Sequence, residues 1–113
     1  LYGTIFVGKA HDPRHHSRNV CIFADGEVDR SPTGTGVAGR AAIHYAKKQL
    51  ALNESIRIES LIGSCFDVAV REQLNYFGYE AIVPEVSGSA HLCGRSTWFI
   101  DPDDHLAHGF LIR

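Results

Sequence analysis

The chain has 113 residues, 44% of them hydrophobic, with 11 basic side chains against 13 acidic ones and a formal net charge of -2. That length supports one compact domain, and the near-balanced charge excludes the basic footprint of a nucleic-acid or anionic-membrane binder, leaving a small molecule as the expected partner. No apolar run approaches the roughly 20 residues of a bilayer span; Cys21, Cys65 and Cys93 are odd in number and form no C-x-x-C pair, so reduced thiols and a cytoplasmic location are expected rather than a disulfide framework or zinc knuckle.

Tyr2 to Val7 opens the chain directly in a strand-like apolar run, and no methionine occurs anywhere, so an excerpt of a longer protein is expected. Asn19 to Ala24 is a second β-favouring run, joined to the first by the polar loop GKAHDPRHHSR. Gly36 to Leu50 is read as the principal helix: Val37, Ala41 and Tyr45 and, beside them, Ala38, Ala42 and Ala46 recur at i, i+4 spacing, with Lys47 and Lys48 at the end that favours cations. Its alanine and glycine content predicts a central helix pressed closely by sheet from more than one side. Ile56 to Ile62 and Phe66 to Val70 alternate like a hairpin around a tight Gly63-Ser64 turn, and Phe77 to Val86 and Ser96 to Ile100 are read as further strands. The chain then ends in another apolar run, GFLIR.

The stretch DRSPTGTGVAGR, Asp29 to Arg40, carries the chemistry. Gly34-Thr35-Gly36-Val37-Ala38-Gly39 fits G-x-G-x-x-G, but nine residues, Asp25 to Thr33, separate it from the preceding strand, and hairpins rather than repeated βαβ units follow. A dinucleotide site is therefore set aside, and no lysine follows the glycines as a triphosphate loop requires. What remains is a helix start whose first N–H groups lack intrahelical partners and sit at the positive end of the dipole, a natural seat for a carboxylate. Thr33 or Thr35 can cap it through a hydroxyl. Asp29 is placed to receive an amine, and amine plus carboxylate define an amino acid. An ordinary cap at Thr33 and a turn-forming Asp29 explain the same residues.

The run VCIFADGEVDRSPTGTGVAGRAAIHYAKKQL, with SLIGSCFDVAV, YEAIVPEVSGSAHLCG and DPDDHLAHGFLIR after it, resembles the closing portion of the proline racemase family over essentially the whole chain. That resemblance implies an α+β, diaminopimelate epimerase-like fold in which a mostly antiparallel sheet curls around a central helix, here one partial lobe whose N-terminal partner is absent. Family racemases and epimerases carry DRSPCGTG, the cysteine being one of two acid/base thiols. Here the position is Thr33, and a hydroxyl is far too weak an acid to exchange protons where a thiol can. The threonine form resembles the trans-3-hydroxy-L-proline dehydratases, in which one thiol suffices. The resemblance assigns Asp29 to the ring nitrogen, Gly34 and Thr35 to the carboxylate, and Thr33 to the substrate's surroundings. It places no catalytic residue in this chain, implies no cofactor and no metal, and leaves a homodimer open. A racemase or hydroxyproline 2-epimerase, or a non-catalytic orphan fragment, are the alternatives.

Other candidates read more simply. His11, His15 and His16 share a loop with Pro13 that lacks a regular scaffold for a metal, and His44 has ordinary helical spacing. The resemblance places the segment around His91 near the cleft between the two lobes of the family fold, without direct contact of His91 to substrate. Asp101, Asp103 and Asp104 lack the spacing of a calcium loop and are read as a turn.

Overall fold

The computed structural model describes residues 2–112. β1 (Gly3–Gly8) and β2 (Ser17–Phe23) pair antiparallel, Gly3 opposite Phe23 and Gly8 opposite Arg18. In β2 the buried positions are Ser17, Asn19 and Cys21, a strict period of two whose inward set is mostly polar. The chain then forms α1 (Gly34–Ala46) and returns as β3 (Ser55–Ser60), parallel to β2 with Ser17 opposite Ile58. The helix is thus the crossover that a parallel pair requires. β4 (Cys65–Tyr76) and β5 (Tyr79–Ser87) each pair antiparallel with the strand before. Strand order in the sheet follows chain order, β1 to β5, an α+β arrangement that is mostly antiparallel with one β-α-β unit.

The core gathers Val37 and Ala41 from α1, Leu50 from the segment after it, Ile58 from β3, and Val68 and Val70 from β4, with Tyr45, Ile56, Phe66 and Ile82 packed around them. Removing each of the large aliphatic side chains from water is worth about 1.5–3 kcal/mol. The sheet covers α1 on one side, while Ile43 remains 54% exposed and Gly39 faces open space. Contact is closest at Gly36, where a Cβ would collide with Ile5 Cδ1 of β1; only glycine permits that approach.

Several boundaries depart from the sequence expectation. α1 begins two residues earlier, at Gly34, and stops at Ala46 rather than Leu50. The stop is a Schellman arrangement: Gln49 N–H donates to His44 C=O at 2.8 Å and Lys48 N–H to Tyr45 C=O at 2.9 Å, with Lys48 at φ 57°. Glycine normally marks that left-handed position and here is missing, which hides the stop. The β3–β4 turn is longer than two residues: Ser60 N–H donates to Ser64 C=O and Gly63 sits at φ 87°, the three-residue form with a left-handed glycine. Phe77 opens no strand; with Gly78 it makes the β4–β5 turn, at φ 49° and 85°. β4 runs on to Tyr76, through an irregularity at Arg71, because pairing with β5 supplies backbone partners that its exposed side chains do not advertise. Ser96 to Ile100 forms no strand, and Trp98, Phe99 and Ile100 are exposed.

The histidine loop is organised by Glu59, which β3 presents at 4% exposure. Its carboxylate accepts Asp12 N–H at 3.0 Å and His11 N–H at 2.8 Å, and lies 2.8 Å from His15 Nδ1. Those two backbone donors, against the opposing effect of burial, hold its pKa down to about 2. A depressed carboxyl pKa stabilises the fold above the ordinary glutamate value of 4.5 and ceases to do so as pH falls through about 2. In thermal melts of the full-length protein, Glu59→Gln is therefore expected to lower Tm at pH 6, and the gap to the wild type is expected to close progressively between pH 4.5 and pH 2; a gap that does not change with pH removes this role. Lys48→Gly is expected to raise stability by about 0.5–1 kcal/mol by relieving the left-handed backbone, and an unchanged or lower melting temperature contradicts that account.

Candidate functional site

After β2 the chain reverses through a turn in which Phe23 N–H donates to Glu27 C=O and Gly26 N–H to Phe23 C=O, with Gly26 at φ 92°. It runs back for one bridge, Ile22 to Val28, and Asp29 N–H is tied to Cys21 C=O at 3.0 Å. These ties bring Asp29 to a fixed place ahead of the helix. Pro32 is buried, and its fixed φ stiffens the entry.

Asp29 is half-buried, and both its oxygens are engaged: Oδ1 accepts Ser31 N–H at 2.8 Å and Oδ2 accepts the Thr33 hydroxyl at 3.0 Å. Each oxygen keeps a further acceptor site. Burial pushes this carboxyl up, but hydrogen bonds from Ser31 and Thr33, helped by the Arg30 charge, outweigh it and bring the pKa below the usual aspartate value. Asp29 is consequently an anion at neutral pH.

Thr33 occupies the N-cap position, and its carbonyl accepts Val37 N–H at 2.9 Å. The expected hydroxyl cap, however, is not made by Thr33: its side chain points back to Asp29. Nor is it made by Thr35, which lies within the first turn. The reason is backbone geometry. Thr33 stands at φ 73°, ψ 101°, outside the extended conformation that an N-cap hydroxyl needs. For a β-branched residue that is strain of about 1–3 kcal/mol, of the kind found where function holds the chain in place.

The consequence is an open helix end. No hydrogen bond among the described residues takes the N–H of Gly34, Thr35 or Gly36, and the first turn carries no acidic side chain. Gly34 and Thr35 are exposed, and a Cβ at Gly34 would meet nothing within 4 Å. Gly34 and Thr35 therefore offer amides at the positive end of α1, and the Asp29 carboxylate is hydrogen-bonded to the side chain of Thr33, the residue just before them. That pairing suits a small zwitterion: a carboxylate at the amides, an amine at the aspartate. Gly36, by contrast, serves packing against Ile5.

The remaining candidates are dispersed. His15 goes to Glu59, His16 Nδ1 lies 3.1 Å from Ser17 Oγ with its ring edge-on to His44, and His11 lies beside Arg18. Among the described residues no three His, Cys, Asp or Glu side chains gather as metal ligands. Asp101 and Asp104 each accept backbone N–H groups within a turn. Cys21 is buried in β2, Cys65 starts β4, and Cys93 is exposed. His91 lines a cavity of about 370 Å³ with Arg30 and Ser31 of the Asp29–Thr33 turn and with Ser64, Cys65 and Cys93. The sequence reading passed over Ser31. Its Oγ accepts Thr33 N–H at 3.1 Å, and its position two residues after an aspartate is the one signal that marks it.

A family model described as proline racemase matches residues 1–111. A trans-3-hydroxy-L-proline dehydratase from Colwellia psychrerythraea is 54% identical over all of this chain, which covers 32% of that relative. A 3-hydroxyproline 2-epimerase from Burkholderia multivorans is 45% identical, again over all of this chain and 34% of the relative. The chain thus spans about a third of the length of these curated relatives. Among solved structures, a probable proline racemase from Agrobacterium radiobacter K84 with bound carbonate matches with a TM-score of 0.78 at 28% identity, over 99% of this chain and 32% of that one. A hydroxyproline epimerase from Agrobacterium vitis with bound trans-4-hydroxy-L-proline matches at 0.77 with the same identity and coverage.

A zwitterion seat has a direct test. In the full-length protein, Asp29→Asn is expected to weaken binding of a cyclic amino acid by about 10- to 100-fold, the range for a charge-assisted hydrogen bond. Cyclopentanecarboxylate, which has no amine, is expected to bind the variant and the wild type alike. Calorimetric titration checks both, and equal losses for the two ligands dismiss the amine from the site.

Proposed function

This chain belongs to the proline racemase family, and from that premise we propose that it is the C-terminal part of a lyase that dehydrates trans-3-hydroxy-L-proline to a pyrroline-2-carboxylate. In this reading the chain supplies the half of the site that holds the substrate: Gly34 and Thr35 amides on the carboxylate, Asp29 on the ring ammonium. The base is a cysteine thiolate of the N-terminal part. It takes the Cα proton, the electron pair left behind forms the C2=C3 double bond, and the 3-hydroxyl leaves as water by taking that proton from the thiol, which returns to the thiolate. Charge that develops on the carboxylate as the Cα proton departs falls on the open end of α1, where unpaired amides stabilise it. The reading takes the enzyme as cytoplasmic and free of cofactors, and a homodimer is compatible with it.

One observation carries the choice of elimination over inversion. The side chain standing at the second acid/base position is the Thr33 hydroxyl, and it donates to an ionised Asp29 at 3.0 Å. Its proton is already committed to a carboxylate, and beside that negative charge an alkoxide is disfavoured further. Inversion at Cα needs an acid on the face opposite the base; elimination does not. The identity to a dehydratase supports the same side. An epimerase is the second reading, favoured by the relative of that name at 45% identity.

Incubation of the full-length protein in deuterated water with proline, 4-hydroxyproline and trans-3-hydroxy-L-proline separates the two. Loss of water from the 3-hydroxy substrate alone is expected, with no deuterium-labelled inverted product from any of the three; inversion of any of them at Cα in place of water loss, the 3-hydroxy substrate included, overturns the lyase. Thr33→Cys is expected to introduce measurable Cα inversion, because it restores a titratable group at the vacant face.

A further inference from the structure

The turn that carries Asp29 and Thr33 is held at two carbonyls by side chains of the sheet. Asn19 of β2, at 1% exposure, donates from Nδ2 to Pro32 C=O at 3.2 Å. Its Oδ1 accepts from the Arg40 guanidinium of α1 at 2.7 Å, and Arg40 also donates to buried Ser17 Oγ at 3.0 Å. From the other side Ser64, in the β3–β4 turn, donates its hydroxyl to Arg30 C=O at 2.8 Å. That hydroxyl proton being used, Ser60 Oγ, itself buried, is the donor in the 2.7 Å contact between the two serines.

The oxygen that Asn19 fixes belongs to the peptide between Pro32 and Thr33. The nitrogen of the same peptide is pinned by Ser31 Oγ. A peptide plane held at its oxygen and at its N–H cannot rotate, and the next torsion along the chain is the strained φ of Thr33. Such a conformation persists only where its surroundings over-determine it. If the peptide swings back, Thr33 relaxes toward an ordinary cap, its hydroxyl turns onto the helix, and the open amides are filled from within.

We propose that Asn19 and Ser64 are positioning residues for the site, which act through the Pro32 and Arg30 carbonyls to keep the Gly34 and Thr35 amides aimed at the substrate carboxylate. Neither touches substrate, and the inference rests on the amino-acid-binding reading above.

The test uses the full-length protein as Asn19→Asp, Ser64→Ala and a control core variant, Val68→Ala. Asn19→Asp still accepts from Arg40 but has no N–H for Pro32. L-proline, which lacks the 3-hydroxyl, serves as a ligand that cannot be dehydrated; its Kd is measured by calorimetry beside Tm and the KM and kcat for trans-3-hydroxy-L-proline. Expected are a rise in Kd of about ten-fold in Asn19→Asp and about three-fold in Ser64→Ala, of the order that misplaced contacts produce, with KM rising in parallel. Val68→Ala is expected to lower Tm while leaving Kd within about two-fold of the wild type. Wild-type affinity in both positioning variants overturns the inference, as does a loss of affinity in all three that follows Tm. Should Asn19→Asp fail to fold, Ser64→Ala, exposed in its turn, decides alone. A wild type that binds L-proline without dehydrating, and loses it in Asn19→Asp, keeps this inference and discards the lyase. A dehydrating wild type with unchanged variants does the reverse, and a wild type that binds no amino acid discards both.

Discussion

The first amides of α1 are left without an acceptor among the described residues, and much of the surrounding structure bears on that vacancy. A threonine ahead of a helix ordinarily turns its hydroxyl onto the second or third amide and closes the end. Here Thr33 turns the other way, toward Asp29, and the helix keeps its positive end open. In the proposed reading the arrangement puts the two halves of a zwitterion seat in one turn, since the same hydrogen bond that withdraws the cap also steadies the carboxylate proposed to receive the amine. Strain at Thr33 is the cost, and the turn on either side of it is tied down accordingly.

Those ties reach into the sheet through polar rather than apolar contacts. The inner face of β2 places Ser17 and Asn19 where a core strand normally carries valine or isoleucine, and Arg40 from the helix satisfies both. Apolar packing of Val37 and Ala41 against Ile58, Val68 and Val70 holds the helix to the sheet without dictating where its first turn points. Hydrogen bonds are directional, and a satisfied polar network specifies geometry that a hydrophobic contact leaves free. The body and the start of α1 therefore rest on different physics: an apolar seat along its length and a hydrogen-bonded frame at its N-terminus.

The same frame relates the site to its chemistry. An amino acid held by carboxylate and amine presents its Cα between them, and which reaction follows depends on the acids and bases brought to that carbon. A hydroxyl locked to an aspartate contributes orientation and polarity there and no proton exchange near neutral pH. Removal of a proton from one face, with a leaving group on the neighbouring carbon, is the chemistry proposed for such a half-site.

By itself the sequence determined what depends on neighbours in the chain: the glycine- and proline-bounded helix start at Asp29–Gly36, the alternation of β3 and the first part of β4, and the family motif with threonine in place of cysteine. Turns and helix starts are written in residues that lie side by side, which is why those features are legible. The structure decided what depends on residues far apart. Arg71 to Tyr76 became strand because β5 lies beside it, whereas Ser96 to Ile100, with a more strand-like composition, pairs with nothing among the described residues. Lys48 ends the helix without glycine because the hydrogen bonds of Gln49 and Lys48 back to the last turn outweigh its left-handed strain. The direction of the Thr33 hydroxyl, and the hold of Asn19 and Ser64 on carbonyls 13 and 34 residues away, likewise follow from three-dimensional placement: a donor and acceptor that distant in sequence meet only once the sheet has brought them together.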